Sequence, residues 1–168
     1  MRLTKFTRRR GGIVTAVLMA LLTLVLTAPS ASAAVRSWSP DPFPTPNNWY
    51  CLDKSRTVYS CLINSSDGTQ SVYKAVMVVT NYTAVGYQMS SPVVNIWSTP
   101  SPSQLIQGDA CYNSALSAGY TASCYGSWVP RSTVCATRPN AATITANVAV
   151  SYGGIRTTVV SPALAVNC

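Results

Sequence analysis

From Cys51 to the C-terminus the chain is a succession of short runs rich in β-branched and aromatic residues, separated by Ser, Gly, Asn and Pro. The runs are Val58 to Ile63, Ser71 to Thr80, Ala84 to Met89, Pro92 to Thr99, Tyr120 to Val129 and Ser132 to Thr137. Their recurrence at intervals of roughly 10 residues predicts a β-sandwich or barrel. Near the C-terminus Ile144, Ala146, Val148, Val150 and Tyr152 alternate with Thr143, Thr145, Asn147, Ala149 and Ser151, the pattern of a half-buried strand. Gly153-Gly154 then supplies the two positive-φ residues of a type I′ turn. Pairing outward from that turn sets Tyr152 against Ile155, Val150 against Thr157 and Val148 against Val159. Val76 to Val79 is apolar without alternation, as expected of a central strand covered on both faces. The one helical expectation is a short turn near Cys111 to Ala118.

The first third of the chain has a different character. Arg2, Lys5, Arg8, Arg9 and Arg10 precede an apolar run from Ile13 to Leu26, shorter than the roughly 20 residues of a bilayer span. Pro29 ends it, and Ala31-Ser32-Ala33 sets small residues at −3 and −1 of a cleavage site, the plan of a secretory leader. Thr7-Arg8-Arg9 carries the twin arginine of a Tat leader, but Gly11 and Gly12 stand where bulky residues belong. The expected organisation is a signal peptide over 1–33, an extended Pro/Trp-rich arm over 34–49 and a disulfide-bonded β domain over 50–168. The fold class expected is all-β: a small disulfide-stapled β-sandwich with an extended Pro-rich N-terminal arm. No internal repeat is visible.

An exported chain with six cysteines is read as a disulfide framework. Cys51, Cys61, Cys111, Cys124, Cys135 and Cys168 include no C-x-x-C pair, which excludes zinc-ribbon and thioredoxin-like spacing. Fifteen pairings are possible. Loop length favours the sequential set, Cys51–Cys61, Cys111–Cys124 and Cys135–Cys168, each bridge contributing roughly 2–4 kcal/mol.

Composition removes the usual tools of catalysis. The chain has no histidine and no glutamate, so Ser-His-Asp and Cys-His sites are impossible. The four carboxylates are Asp41, Asp53, Asp67 and Asp109. Asp67-Gly68 reads as a turn, Asp41 lies among prolines, and Asp109 precedes a cysteine in an expected loop, so no glycosidase pair stands out. Ser71-Val72-Tyr73-Lys74 is the single S-x-x-K match and falls in an expected strand. The expectation is a protein without enzymatic activity, cofactor, metal or small-molecule substrate. Asn64-Ser65-Ser66 and Asn81-Tyr82-Thr83 match glycosylation sequons, a match common by chance. Once the leader's five basic residues are removed, seven scattered basic side chains face four aspartates. No run of them marks a nucleic-acid or membrane patch.

The arm holds the candidate binding residues. Proline occupies every second position from Pro40 to Pro46 in WSPDPFPTP. In an extended chain those prolines silence one edge, while the N–H groups of Asp41, Phe43 and Thr45 face the other. Such a strand pairs on one side only and suits insertion into a partner's cleft or addition to its sheet edge, with Trp38, Phe43 and Trp49 as anchors. The competing readings are an arm lying along its own domain to cover an edge strand, and a stiff linker.

With its basic leader, its Pro/Trp-rich stretch from Ser37 to Trp49 and its compact disulfide-bonded β domain, the chain resembles the small secreted adaptor subunit of the umbrella toxin particles of filamentous actinobacteria. The resemblance implies partners: a lectin-bearing subunit whose cleft takes the extended segment, and a stalked toxin chain gripped by the β domain. It implies an extracellular, antibacterial setting without toxic chemistry of the protein's own. Two other classes compete. A secreted hydrolase inhibitor would present Trp128-Val129-Pro130-Arg131 as a rigid loop, and a carbohydrate-binding module would use Trp97 or Trp128. N-terminal sequencing of secreted material is expected to begin at Ala34, and an intact Arg8-Arg9-Arg10 leader on that material would refute the cleavage site.

Overall fold

The computed structural model describes residues 34–40, 46–53, 56–99, 102–139 and 142–168. Strand β5 (Ser71–Thr80) shows how the sequence builds the fold. Ala75, Met77 and Val79 point to one side, and Val76 and Val78 to the other, all 1% exposed or less. β5 is therefore covered on both faces, as its unbroken apolar run predicts. It lies at the middle of a six-stranded sheet whose order is β2 (Trp38–Pro40), β9 (Thr121–Tyr125), β5, β4 (Val58–Ser66), β3 (Trp49–Cys51). The two-residue β10 (Val129–Pro130) continues the β9 edge of β5, pairing with Tyr73 and Val72.

The second sheet has seven strands. Its order is β1 (Ala34–Arg36), β7 (Gln104–Cys111), β6 (Tyr87–Thr99), β11 (Ala142–Tyr152), β12 (Ile155–Val160). β8 (Ser114–Leu116) pairs with β6, and β13 (Leu164–Val166) with β11. Between the sheets lie Leu62, Met77, Met89, Ile96, Ile144, Val148 and Val150, all buried. Complete burial of such side chains is worth about 1.5–3 kcal/mol each. The other side of the six-stranded sheet carries a smaller cluster of Tyr59, Cys61, Ile63, Val76 and Val78, against which Trp49, Cys51 and Tyr125 pack. The chain is an all-β, disulfide-stabilised sandwich.

The C-terminal hairpin has the expected register, Tyr152 with Ile155, Val150 with Thr157 and Val148 with Val159. Both turn glycines adopt positive φ, 54° and 80°. The disulfides are Cys51–Cys61, Cys111–Cys124 and Cys135–Cys168, the sequential set. Cys51 and Cys61 sit directly opposite in the β3–β4 pair, whereas Cys111 and Cys124 join the two sheets.

Two local expectations are corrected. Ser132 to Thr137 reads as a strand but forms the helix α1 (Arg131–Thr137). Its burial is one residue per turn: Val134 is buried while Arg131, Ser132 and Thr133 face solvent. Pro130, extended at φ −64°, fixes the entry to that turn. Tertiary context thus overrides the β propensity of Thr133, Val134 and Thr137. The helical turn expected near Cys111 to Ala118 is instead the end of β7 followed by β8. Pairing of Leu116 with Tyr87 and burial of Leu116 extend that segment.

The N-terminal residues join both sheets. β1 runs parallel to β7 with Arg36 beside Cys111, and β2 runs antiparallel to β9 with Trp38 beside Cys124. The chain therefore steps from one sheet to the other at Ser37, across the Cys111–Cys124 bridge. It leaves the six-stranded sheet at Pro40 on one edge and returns through β3 on the opposite edge. Cys168 is exposed and Cys135 half-buried, while Cys61, Cys111 and Cys124 are buried. Under mild reductant the first thiols to alkylate are expected at Cys135 and Cys168, read by peptide mass mapping; earlier opening of Cys111–Cys124 would contradict this packing.

Candidate docking site

Of the candidate arm residues, Trp38 and Trp49 are described and Asp41, Phe43 and Thr45 lie outside the described residues. Trp38 is half-buried against the main core, and its Nε1–H donates to the Tyr112 carbonyl at 2.7 Å. Trp49 sits on the far edge of the same sheet, edge-to-face with Tyr125 at 5.9 Å. The structure does not bring the two tryptophans together; each is engaged by its own domain.

The described aspartates are all occupied by local work. Asp53 accepts from Arg56 Nε at 3.0 Å. Asp67 caps its turn, and the Thr69 hydroxyl, followed by the backbone amides of Gln70 and Thr69, holds its carboxyl below the usual range. Asp109, expected in a loop, lies in β7 and is 2% exposed. It accepts from Ser127 N at 2.7 Å, Ser127 Oγ at 3.1 Å and Gln107 Nε2 at 3.3 Å, with Arg36 Nε 3.9 Å away. Arg36 also donates to Ser127 Oγ, so β1, β7 and the 126–128 turn meet on one buried carboxylate. Gly126 lets this happen, because a Cβ there would meet Asp109 Oδ2 at 3.2 Å and the Ala75 carbonyl at 3.3 Å.

The S-x-x-K match lies in β5, where a three-residue spacing puts Ser71 and Lys74 on opposite faces. Lys74 Nζ rests 4.2 Å over the Trp128 ring and 5.8 Å from that of Tyr125. Burial, then the nearby Arg36 charge, lowers its proton affinity. The indole face works the other way, favouring the ammonium. Within Trp128-Val129-Pro130-Arg131, Val129 is buried and paired into the sheet and Arg131 opens α1. The segment is thus not a projecting loop.

The feature that sequence inspection missed is at one end of the sandwich. Val85, Tyr120, Ile155 and Tyr82 are 69%, 66%, 66% and 64% exposed, the four most exposed large apolar side chains among the described residues. Tyr82 and Val85 come from the β5–β6 connection, Tyr120 from the β8–β9 connection, and Ile155 from the start of β12. Asn81, fully buried, ties the two connections together. Its Nδ2 donates to the Val85 carbonyl at 2.8 Å and to the Leu116 carbonyl at 3.1 Å. Its Oδ1 accepts from Thr83 N and Thr83 Oγ1, at 2.9 and 2.6 Å. Its backbone bonds Tyr120 O and Gly119 N. Behind the β11–β12 turn, Tyr152 stacks on Tyr87 at 5.3 Å. The Tyr87 phenol donates to Thr80 O, and its pKa is pushed up to about 12, chiefly by burial. Full burial of Asn81, with both amide protons bonded, also removes it as a glycan acceptor.

No protein-family model and no curated protein matches the chain. Among solved structures it is similar to a protein from Archaeoglobus fulgidus, with TM-score 0.38 and 9% identity over 65% of this chain and 96% of that one. The GAE domain of GGA2p from Saccharomyces cerevisiae matches with TM-score 0.29 and 12% identity, over 71% and 97%. Likeness at this level carries no argument about role. Among the described residues no helix is long and apolar enough to cross a membrane, and no cluster of metal-ligating side chains occurs.

Replacing Asn81 with alanine leaves the Val85 and Leu116 carbonyls and the Thr83 amide without that partner. The expected loss is about 2–3 kcal/mol in denaturant unfolding, the scale of unsatisfied buried groups. A loss below about 0.5 kcal/mol, the level of an ordinary surface change, would show that the loops do not depend on it.

Proposed function

We propose that the protein is a secreted, non-enzymatic assembly module that joins other secreted proteins, docking one of them through the tyrosine-rich end of its sandwich. The observation that carries this reading is the exposure of Tyr82, Val85 and Tyr120 on two connections fixed from beneath by Asn81, with Ile155 projecting from the β11–β12 hairpin at the same end. Exposed apolar groups in one patch cost solubility unless a partner covers them. Tyrosine on a rigid loop offers contact area at small entropic cost. Loops at the end of a β-sandwich are also where such folds place recognition.

Three disulfides support an oxidising, extracellular setting. Local occupation of the described aspartates supports a role without catalysis. The partner set implied by the umbrella-toxin resemblance, a lectin-bearing subunit and a stalked toxin chain, belongs to this proposal. Trp38 and Trp49, held by their own domain, are read here as parts of the scaffold. A hydrolase inhibitor gains nothing from the buried Val129.

The test is capture from the producing organism's culture supernatant with tagged mature protein. Tyr82→Ala and Tyr120→Ala should each weaken capture of a large secreted partner by about 2 kcal/mol, near thirtyfold, as for aromatic hot spots. Unfolding should be unchanged, since both side chains are exposed. Unaltered capture by the double variant, or recovery of a lone hydrolase, would sink the proposal.

A further inference from the structure

The outer face of the seven-stranded sheet carries a second candidate site, unconnected with the docking end. Register places Trp97 opposite Thr145, and Asn95 opposite Asn147, which in turn faces Val160. Strand alternation puts all of these on the face away from the core, because Val94, Ile96, Ile144, Ala146 and Val148 point inward. Between them is a depression of about 330 Å³ lined by Trp97, Thr99, Ser103, Thr145, Asn147 and Val160. None of the six is charged.

The hydrogen-bonding state of this lining is unusual. The Thr99 and Thr143 hydroxyls satisfy each other at 2.6 Å. Thr145, 8% exposed, half-buried Asn147 and exposed Ser103 line the depression with two hydroxyls and an amide. Trp97 Nε1–H is closed off from solvent and lacks an acceptor. Buried polar groups in native proteins are normally paired, and among the lining groups this indole N–H is the exception. Gly108 lies beside Asn95, where a Cβ would come within 3.3 Å of Asn95 Oδ1.

We infer that this depression binds a neutral, hydroxyl-rich ring, that is, a sugar residue of a glycan. An apolar ligand would leave the Asn147 and Thr145 groups unpaired, and an anion or cation would find no opposite charge. A pyranose brings hydroxyls that both donate and accept, matching the Asn147 amide and the Thr145 and Ser103 hydroxyls. Its C–H surface packs on the indole and on Val160. The volume lies at the low end for ligand pockets, fitting one ring with its substituents. Trp97 suits this role better than Trp128, one face of which is taken by Lys74.

The experiment is a titration followed through the side-chain N–H signals of ¹⁵N-labelled protein. Probes are glucose, galactose, mannose and N-acetylglucosamine, with glucuronate as a charged comparator. At least one neutral sugar should move the Trp97 indole and Asn147 amide signals in a saturable way, and glucuronate should bind at least tenfold more weakly. Thr145→Val and Asn147→Ala should each weaken binding at least tenfold, with unmoved Trp38, Trp49 and Trp128 signals showing that the fold persists. Should either variant unfold, Ser103→Ala, outside the strands, takes its place with a severalfold loss expected. No response to any neutral sugar, or a response at Trp128 in place of Trp97, would overturn the assignment. Either result leaves the docking proposal untouched.

Discussion

One corner governs the whole architecture. A two-sheet sandwich is open along its edges, and here one edge is closed where the chain steps between sheets at Ser37. Arg36 pairs beside Cys111 and Trp38 beside Cys124, so the step runs over the bridge that joins those cysteines. Asp109 sits behind it, buried, receiving two bonds from Ser127 and flanked by Arg36. Removing one partner of a buried charge pair typically costs about 3–5 kcal/mol. Arg36 is partly exposed, which lowers its share, but the direction is clear. The arrangement binds the first described strand to the fold electrostatically and by backbone pairing. The bridge beneath, closing a short loop, adds roughly 3 kcal/mol.

Much of this was legible in the sequence, and the reason is locality. Gly153-Gly154 and the alternating residues around it specify a hairpin register within a short window, and that register is observed. The unbroken run at Val76 to Val79 specifies a two-sided burial that only a central strand provides. Cysteines separated by 10 or 13 residues favour one another by loop length, and the sequential set forms. What escaped was decided at a distance. Pairing of Ala34 to Pro40 with strands β7 and β9 depends on partners some 75 to 85 positions away. The α1 segment has β-branched residues, yet one buried valine and an entry proline make it helical. The exposed end draws Tyr82 and Tyr120 from two connections and Ile155 from the start of β12, segments that no local pattern relates.

These features make a coherent physical object. Several charges are used within the fold: Arg36 at Asp109, Arg56 at Asp53, Lys74 on two aromatic rings, Arg156 on the Ser91 carbonyl. The four most exposed large apolar side chains among the described residues lie at one end, backed by a buried asparagine and a tyrosine stack. The uncharged depression around Trp97 lies about ten residues further along β6 from Tyr87, of the order of 30 Å at strand rise. A rigid scaffold with a docking end and a separate polar depression suits a part that connects other molecules.

The most direct measurement of this account is site-specific photo-crosslinking in the producing culture, with a photoreactive phenylalanine analogue at position 82 in one protein and at position 43 in another. If the sandwich end is the docking surface, the protein substituted at 82 forms a covalent adduct with a large secreted partner, and the one substituted at 43 gives none or far less. Adducts formed only from position 43 would contradict the account and return partner binding to the proline-rich arm.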